Sequence, residues 1–154
     1  MSYSADNALQ IAMQMERLGQ TFYHSLAQGS GDAKMTAFAA KLAEDEKGHL
    51  WKFEKMYHSL PIEKCGPKMS DDQIIAAAGK YYKLILPDAD EVRKIASSGD
   101  MVKALAMAMQ MEADAIAYYE SMTPVSSEDA AVLKAIVNEE KRHLAMLRDW
   151  RERL

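Results

Sequence analysis

Apolar residues recur at three- and four-residue steps through four long stretches of this chain, and short polar, glycine- or proline-bearing breaks separate them. That spacing is the helical period. The first stretch runs from about Ser4, a candidate N-cap, to Gln28, and stops at Gly29-Ser30-Gly31. The second runs from about Asp32 to Leu60, before Pro61, and the third from about Asp100 to Thr123, before Pro124. The fourth follows the cap candidates Ser126 and Ser127 and continues close to the C-terminus. Arg148, Arg151 and Arg153 stand near its end, where cations suit the helix dipole.

The links within each half are only a few residues long, so the pattern predicts two antiparallel helix hairpins. Residues 61–99 connect them. This crossover opens as a loop from Pro61 to Met69, broken at Gly66-Pro67. Ser70-Asp71-Asp72 then caps a short helix expected to reach Leu86, and Pro87 starts another through Ile95, closed by Ser97-Ser98-Gly99. The expected fold is all-α: one four-helix domain over residues 1–154, in a topology that joins two hairpins by a long crossover.

Two strings nearly repeat, Asp45-Glu46-Lys47-Gly48-His49-Leu50 and Glu139-Glu140-Lys141-Arg142-His143-Leu144. Each sets a Glu three residues ahead of a His, so both side chains leave one helix face about a turn apart. A second pair, Ala12-Met13-Gln14-Met15-Glu16 and Ala108-Met109-Gln110-Met111-Glu112, drops one Glu into an apolar run. All six residues fall in the middle of an apolar stripe. Glu16 lies among Leu9, Ala12, Met13, Gly19 and Tyr23, and Glu112 among Leu105, Ala108, Ala115, Ile116 and Tyr119. Glu46 and His49 interrupt Met35, Ala39, Leu42 and Phe53, while Glu140 and His143 interrupt Leu133, Ile136, Val137 and Leu147.

An unpaired buried carboxylate costs several kcal/mol, so four of them need compensation by protons, by Lys or Arg, or by metal ions. No Lys or Arg lies near the centre of these stripes. Two divalent cations would balance four carboxylates, and two imidazoles would complete the ligand sets. Mixed oxygen and imidazole donors suit iron or manganese. Composition agrees with a globular helical protein of 154 residues, 49% hydrophobic and 27% charged, with few Gly and Pro. A net charge of −4 argues against nucleic acid, and setting aside four metal-neutralised carboxylates brings it to about zero. The lone Cys65, expected to be a free thiol in a loop, excludes disulfides and thiolate metal knuckles. Met1 to Asn7 is polar and no run is long enough to span a bilayer, so the expected compartment is the cytoplasm, with no membrane partner.

The single Glu of the first and third helices, the Glu-Lys-x-His strings and the run Met111-Glu112-Ala113-Asp114-Ala115-Ile116-Ala117-Tyr118-Tyr119 resemble the rubrerythrin branch of the ferritin-like superfamily. The resemblance implies a ferritin-like bundle holding two iron ions per chain, with manganese or a mixed pair as alternatives. It implies that Glu46 and Glu140 bridge the metals, that Glu16 and Glu112 are terminal carboxylates, and that His49 and His143 are terminal imidazoles. Tyr23 and Tyr119 each follow a terminal Glu by seven residues, where a phenol either hydrogen-bonds a ligand carboxylate or simply packs in the core. Two departures stand out. The chain lacks the Cys-x-x-Cys knuckles of a rubredoxin-like domain, and Met109 and Ala115 occupy the positions where a further helix-three Glu would stand.

The activity implied is that of a di-iron redox enzyme that reduces hydrogen peroxide, or activates dioxygen, in oxidative-stress defence. Two ions about 3.5–4 Å apart can address both ends of an O–O bond. Electrons would come from a separate donor protein, and a homodimer is expected. Iron oxidation and storage is the alternative, and a metal-free helical interaction module the remaining one. Glu44, Asp45 and Glu139 fall off the stripes and are expected to be solvated, steering cations; His24 and His58 are expected at the surface. The twelve Met are expected to fill the core, and Trp51 and Trp150 to pack at bundle or dimer contacts.

Overall fold

The computed structural model describes residues 4–154; the first three residues of the polar N-terminal segment lie outside the described residues. Six α-helices follow one another among the described residues: α1 Ala5–Gly29, α2 Ala33–His58, α3 Asp71–Tyr82, α4 Ala89–Ala96, α5 Met101–Ser121 and α6 Ser127–Glu152. No strand occurs among the described residues. Asp32, Ser70, Asp88, Asp100 and Ser126 each accept a hydrogen bond from a backbone N–H two or three residues on, satisfying donors the helix itself leaves free. Ser70 and Gln73 complete a capping box at the start of α3. Ser4 stands at the expected N-cap of α1, but its side chain makes no cap bond among the described residues.

Cross-helix contacts fix the directions. Tyr118 of α5 donates to the Ala8 carbonyl of α1 (2.7 Å), while Tyr23, far along α1, donates to Glu112, earlier in α5. The pairing therefore runs in opposite senses and α1 and α5 are antiparallel. His49 faces Glu139 and Asp45 faces His143, so α2 and α6 are antiparallel too. It follows that α2 and α5 are parallel. The chain must travel back along the bundle between them, roughly 39 Å for a 26-residue helix. That return is the reason for the long crossover.

The crossover differs from its expected outline in three places. A 3-10 turn, Ile62–Lys64, interrupts the opening loop. α3 stops at Tyr82 rather than Leu86, because Lys83 takes a left-handed conformation (φ 53°). α4 begins at Ala89, with Pro87 outside it and Asp88 as the cap. α3 and α4 pack on α1, burying Ile74, Ala78, Val92 and Ala96. Their presence explains a second buried face on α1: Ile11, Leu18 and Phe22 project away from Glu16 and are nevertheless at most 3% exposed. The methionines divide accordingly, with Met13, Met15, Met35 and Met56 buried and Met146 at the surface.

Buried polar groups of α1 hold the crossover loop. Asp6 is fully buried and accepts from the Gly66 N–H (2.8 Å), and Gln10 accepts from the Met69 N–H (2.7 Å). Replacing Asp6 by Ala leaves the Gly66 donor without its acceptor, at a cost of about 1–3 kcal/mol. We expect Asp6→Ala to lower the unfolding midpoint and speed amide exchange across residues 61–69, and Asp6→Asn to restore both. Unchanged exchange in that loop would contradict the assignment.

Candidate metal centre

The stripes converge where the four long helices meet. α1 and α5 supply Glu16 and Glu112, and α2 and α6 supply Glu46 with His49 and Glu140 with His143, all six side chains at most 3% exposed. His49 Nδ1 lies 2.9 Å from Glu140 Oε1, 3.5 Å from Glu16 Oε1 and 3.8 Å from Glu46 Oε1. His143 Nδ1 lies 3.1 Å from Glu46 Oε1 and 3.4 Å from both Glu112 Oε1 and Glu140 Oε1. Two four-residue groups result, Glu16-Glu46-His49-Glu140 and Glu46-Glu112-Glu140-His143, each with its ligand atoms within 4.8 Å of one another. They share Glu46 and Glu140.

Close approach here is not hydrogen bonding. Glu46 Oε1, Glu140 Oε1 and both imidazole Nδ1 atoms lack an aligned partner among the described residues, as do Glu16 Oε2 and Glu112 Oε2. Orphaned buried polar atoms are rare in folded proteins. Lone pairs that crowd together without pointing at one another are arranged to meet at a point between them. Oxygen and imidazole donors converging in this way fit a pair of transition-metal ions.

A family profile described as the ferritin-like domain matches residues 5–152. The chain belongs to the ferritin-like domain family. Comparison with curated proteins and with solved structures returned no match. In this ferritin-like bundle, buried carboxylate and imidazole clusters can hold metal ions, and no helix among the described residues is long and apolar enough to cross a membrane.

Outside the six residues, two pairs of contacts orient the site. Tyr119 donates to Glu16 Oε1 (2.8 Å) and Tyr23 to Glu112 Oε1 (2.6 Å), so each phenol serves the carboxylate of the opposite hairpin rather than that of its own helix. Burial, and then those carboxylates, hold both phenols well above their usual range, so they remain proton donors. Asp45 and Glu139 are not simply solvated. Asp45 Oδ2 lies 3.1 Å from His143 Nε2, and Glu139 Oε1 lies 3.1 Å from His49 Nε2. An acid precedes the Glu in both repeated strings, which was the available signal; its position beside the stripe concealed that an antiparallel neighbour would reach it. His24 and His58 are exposed as expected, and Cys65 is a free, exposed thiol. Trp150 packs on Phe38, whereas Trp51 is 61% exposed, with Lys55 Nζ 5.2 Å from the centre of its ring.

Without metal, protons take over the compensation. Burial raises Glu16, Glu46 and Glu112, and neighbouring carboxylates raise them further. Burial alone would lower the imidazoles, but Glu140 and Glu16 push His49 up to about 10, and Glu112 and Glu140 push His143 up to about 11. Glu140 alone among the four Glu is held low, because both imidazolium groups face it and outweigh its burial. The five raised groups stabilise the metal-free fold fully only below their unfolded values, about 4.5 for Glu and 6.5 for His, and this contribution is lost as pH climbs toward the folded ones. Glu140 acts oppositely, losing its contribution only in acid. Metal binding must displace the same protons. Between pH 7 and 10 we therefore expect the chelator-treated protein to melt progressively lower, and the stabilisation by added Fe(II) or Mn(II) to grow. A melting temperature of the stripped protein that rises over this window would contradict the charge assignment.

Gly19 makes room for Glu46. A Cβ at that position would lie 2.7 Å from Glu46 Oε2, so the carboxylate would have to shift. A cavity of about 10 Å³, room for about one water, adjoins the carboxylates between α1 and α5, lined in part by Gly19, Ala115, Met15 and Met111. Gly19→Ala should gain about 1 kcal/mol of helix propensity. We expect it nonetheless to lower metal retention, measured by metal analysis after dialysis, because Glu46 must move; full retention would show that the contact is slack.

Proposed function

We propose that this ferritin-like protein is a rubrerythrin-like di-iron redox enzyme that reduces hydrogen peroxide, with dioxygen as a second oxidant. The observation that carries this reading is the sharing of Glu46 and Glu140 by both four-residue groups. In it Glu46 and Glu140 would serve both ions, with Glu16 and His49 holding one and Glu112 and His143 the other. Iron in both positions is the proposed loading, with manganese or a mixed pair as alternative fillings of the same donors. A bound iron pair would supply the two electrons that cleavage of a peroxide O–O bond requires.

The chain's own residues set the conditions for that chemistry. Tyr23 and Tyr119 keep their protons and hold Glu112 and Glu16 in fixed orientations, so the terminal carboxylates stay where ions would need them. Asp45 engages the outward nitrogen of His143 and leaves its Nδ1 turned to the centre. The cavity beside Gly19 and Ala115 has room for about one water, too little for an organic substrate. A small oxidant suits it. The two electrons that a bound iron pair would supply must be replaced, and we propose a separate electron-donor protein for that role and a small oligomer, a dimer, as the working form.

The reading is tested by loading the metal-stripped protein anaerobically with Fe(II), counting iron, and exposing it separately to peroxide and to dioxygen. We expect two irons per chain and reoxidation at least tenfold faster with peroxide. Preference for dioxygen, with mineral growth inside a large closed shell by light scattering, would replace this reading with iron storage. Glu46→Ala and Glu140→Ala should each lose the metal pair, and two irons retained in either variant would overturn the bridging assignment.

A further inference from the structure

The two acids behind the imidazoles do more than prop them. Asp45, Glu139 and His143 offer three ligand atoms within 4.8 Å of one another, on the solvent side of the centre between α2 and α6. The Asp45 and Glu139 side chains are 17% and 29% exposed, while the rings behind them are at most 2% exposed. A cluster of acids is ordinarily a solvated patch. Here, however, the buried His49 turns its Nε2 toward Glu139 at 3.1 Å, and that nitrogen has no aligned hydrogen-bond partner among the described residues. A buried polar atom left so is costly unless something else meets it.

The rim of this group is covered loosely. Lys41 pairs with Asp45, and Arg142 Nη2 lies 3.6 Å from Glu139 Oε2; their side chains are 71% and 66% exposed. Exposed pairs of this kind are weak and exchange readily. A divalent ion can displace them. Carboxylate oxygens with imidazole nitrogen favour transition-metal dications over calcium or magnesium. Each imidazole, moreover, spans the boundary: Nδ1 faces the six-residue centre and Nε2 faces Asp45 or Glu139.

We propose that Asp45 and Glu139, with the outward nitrogens of His143 and His49, form a capture site for transition-metal dications on their way to the centre. The proposal rests on the reading of the six buried residues as a metal centre. An arriving ion meets two carboxylates first, replaces the Lys41 and Arg142 cations, and takes the place of the proton on an outward imidazole nitrogen, which passes to solvent. The site serves uptake, so it governs the rate at which the centre fills.

The test uses the full-length, metal-stripped protein mixed rapidly with Co(II), followed by quenching of tryptophan fluorescence, with dissociation measured separately by chelator challenge. The Asp45→Asn/Glu139→Gln double variant should take up Co(II) at least tenfold more slowly at low salt, with a flattened salt dependence. Lys41→Gln/Arg142→Gln, which alters only exposed side chains, should take it up several-fold faster. Dissociation should change far less than association in both. Unchanged association with faster dissociation would overturn the proposal, since that is what props for the imidazoles alone would give. A wild-type chain that takes up no Co(II) would overturn the metal-centre reading itself, and normal wild-type uptake with unaltered variants would overturn only the capture site.

Discussion

Four carboxylic acids and two imidazoles occupy the interior of this bundle, and their charge must be balanced where water cannot do it. Most of the architecture answers to that demand. Each of the four long helices contributes one Glu near its middle, so no helix carries the burden alone. Five of the six groups hold protons more tightly than usual when metal is absent, which is the fold's fallback. Protons neutralise the cluster, but they leave oxygen and nitrogen atoms crowded together without hydrogen-bond geometry. Cations at the points of convergence would satisfy both requirements at once. Affinity for metal and the stability of the metal-free fold are thus set against each other by the same residues.

The path of the chain breaks the symmetry of the cluster. Because α2 and α5 run parallel, the crossover must return along the bundle, and α3 and α4 lie against α1, with α4 also meeting α5. Both faces of α1 are consequently buried, and the cavity beside Gly19 sits between α1 and α5. The imidazoles belong to α2 and α6, which the crossover leaves open. Asp45 and Glu139 stand on that open side. A cluster nearly symmetrical in its ligands therefore meets solvent on one side, through acids, and packed methionines and small residues on the other.

The helical hairpins and the six buried residues were legible because helix period and burial carry the same message. Glu16, Glu46, Glu112 and Glu140 could be placed inside simply by the apolar residues at their three- and four-residue neighbours. The second buried face of α1 was not legible. Ile11, Leu18 and Phe22 read as scattered apolar residues until α3 and α4 are seen to cover them, and nothing local foretells that cover. The end of α3 was missed for a local reason: a non-glycine residue, Lys83, adopts φ 53°, a conformation its sequence does not advertise; α4 starts late because Asp88, not Pro87, caps it. Asp45 and Glu139 were misplaced because a helical wheel describes one helix at a time. Residues flanking a stripe are solvated on a lone helix and reach across when an antiparallel partner packs closely.

Partnership across the two hairpins supplies both phenol contacts and both outer acids of the centre. Tyr23 serves Glu112 and Tyr119 serves Glu16; Asp45 faces His143 and Glu139 faces His49; each four-residue group draws on both halves. A hairpin by itself would bury two carboxylates and one imidazole with neither the phenol nor the outer acid that supports them. Such a piece has little reason to be stable, so formation of the site and closure of the bundle are one event. The near-repeat in the sequence gains a physical meaning from this. Equivalent positions carry equivalent residues because each half supplies to the other what it lacks, and a change in one string is felt at the ligands of the other.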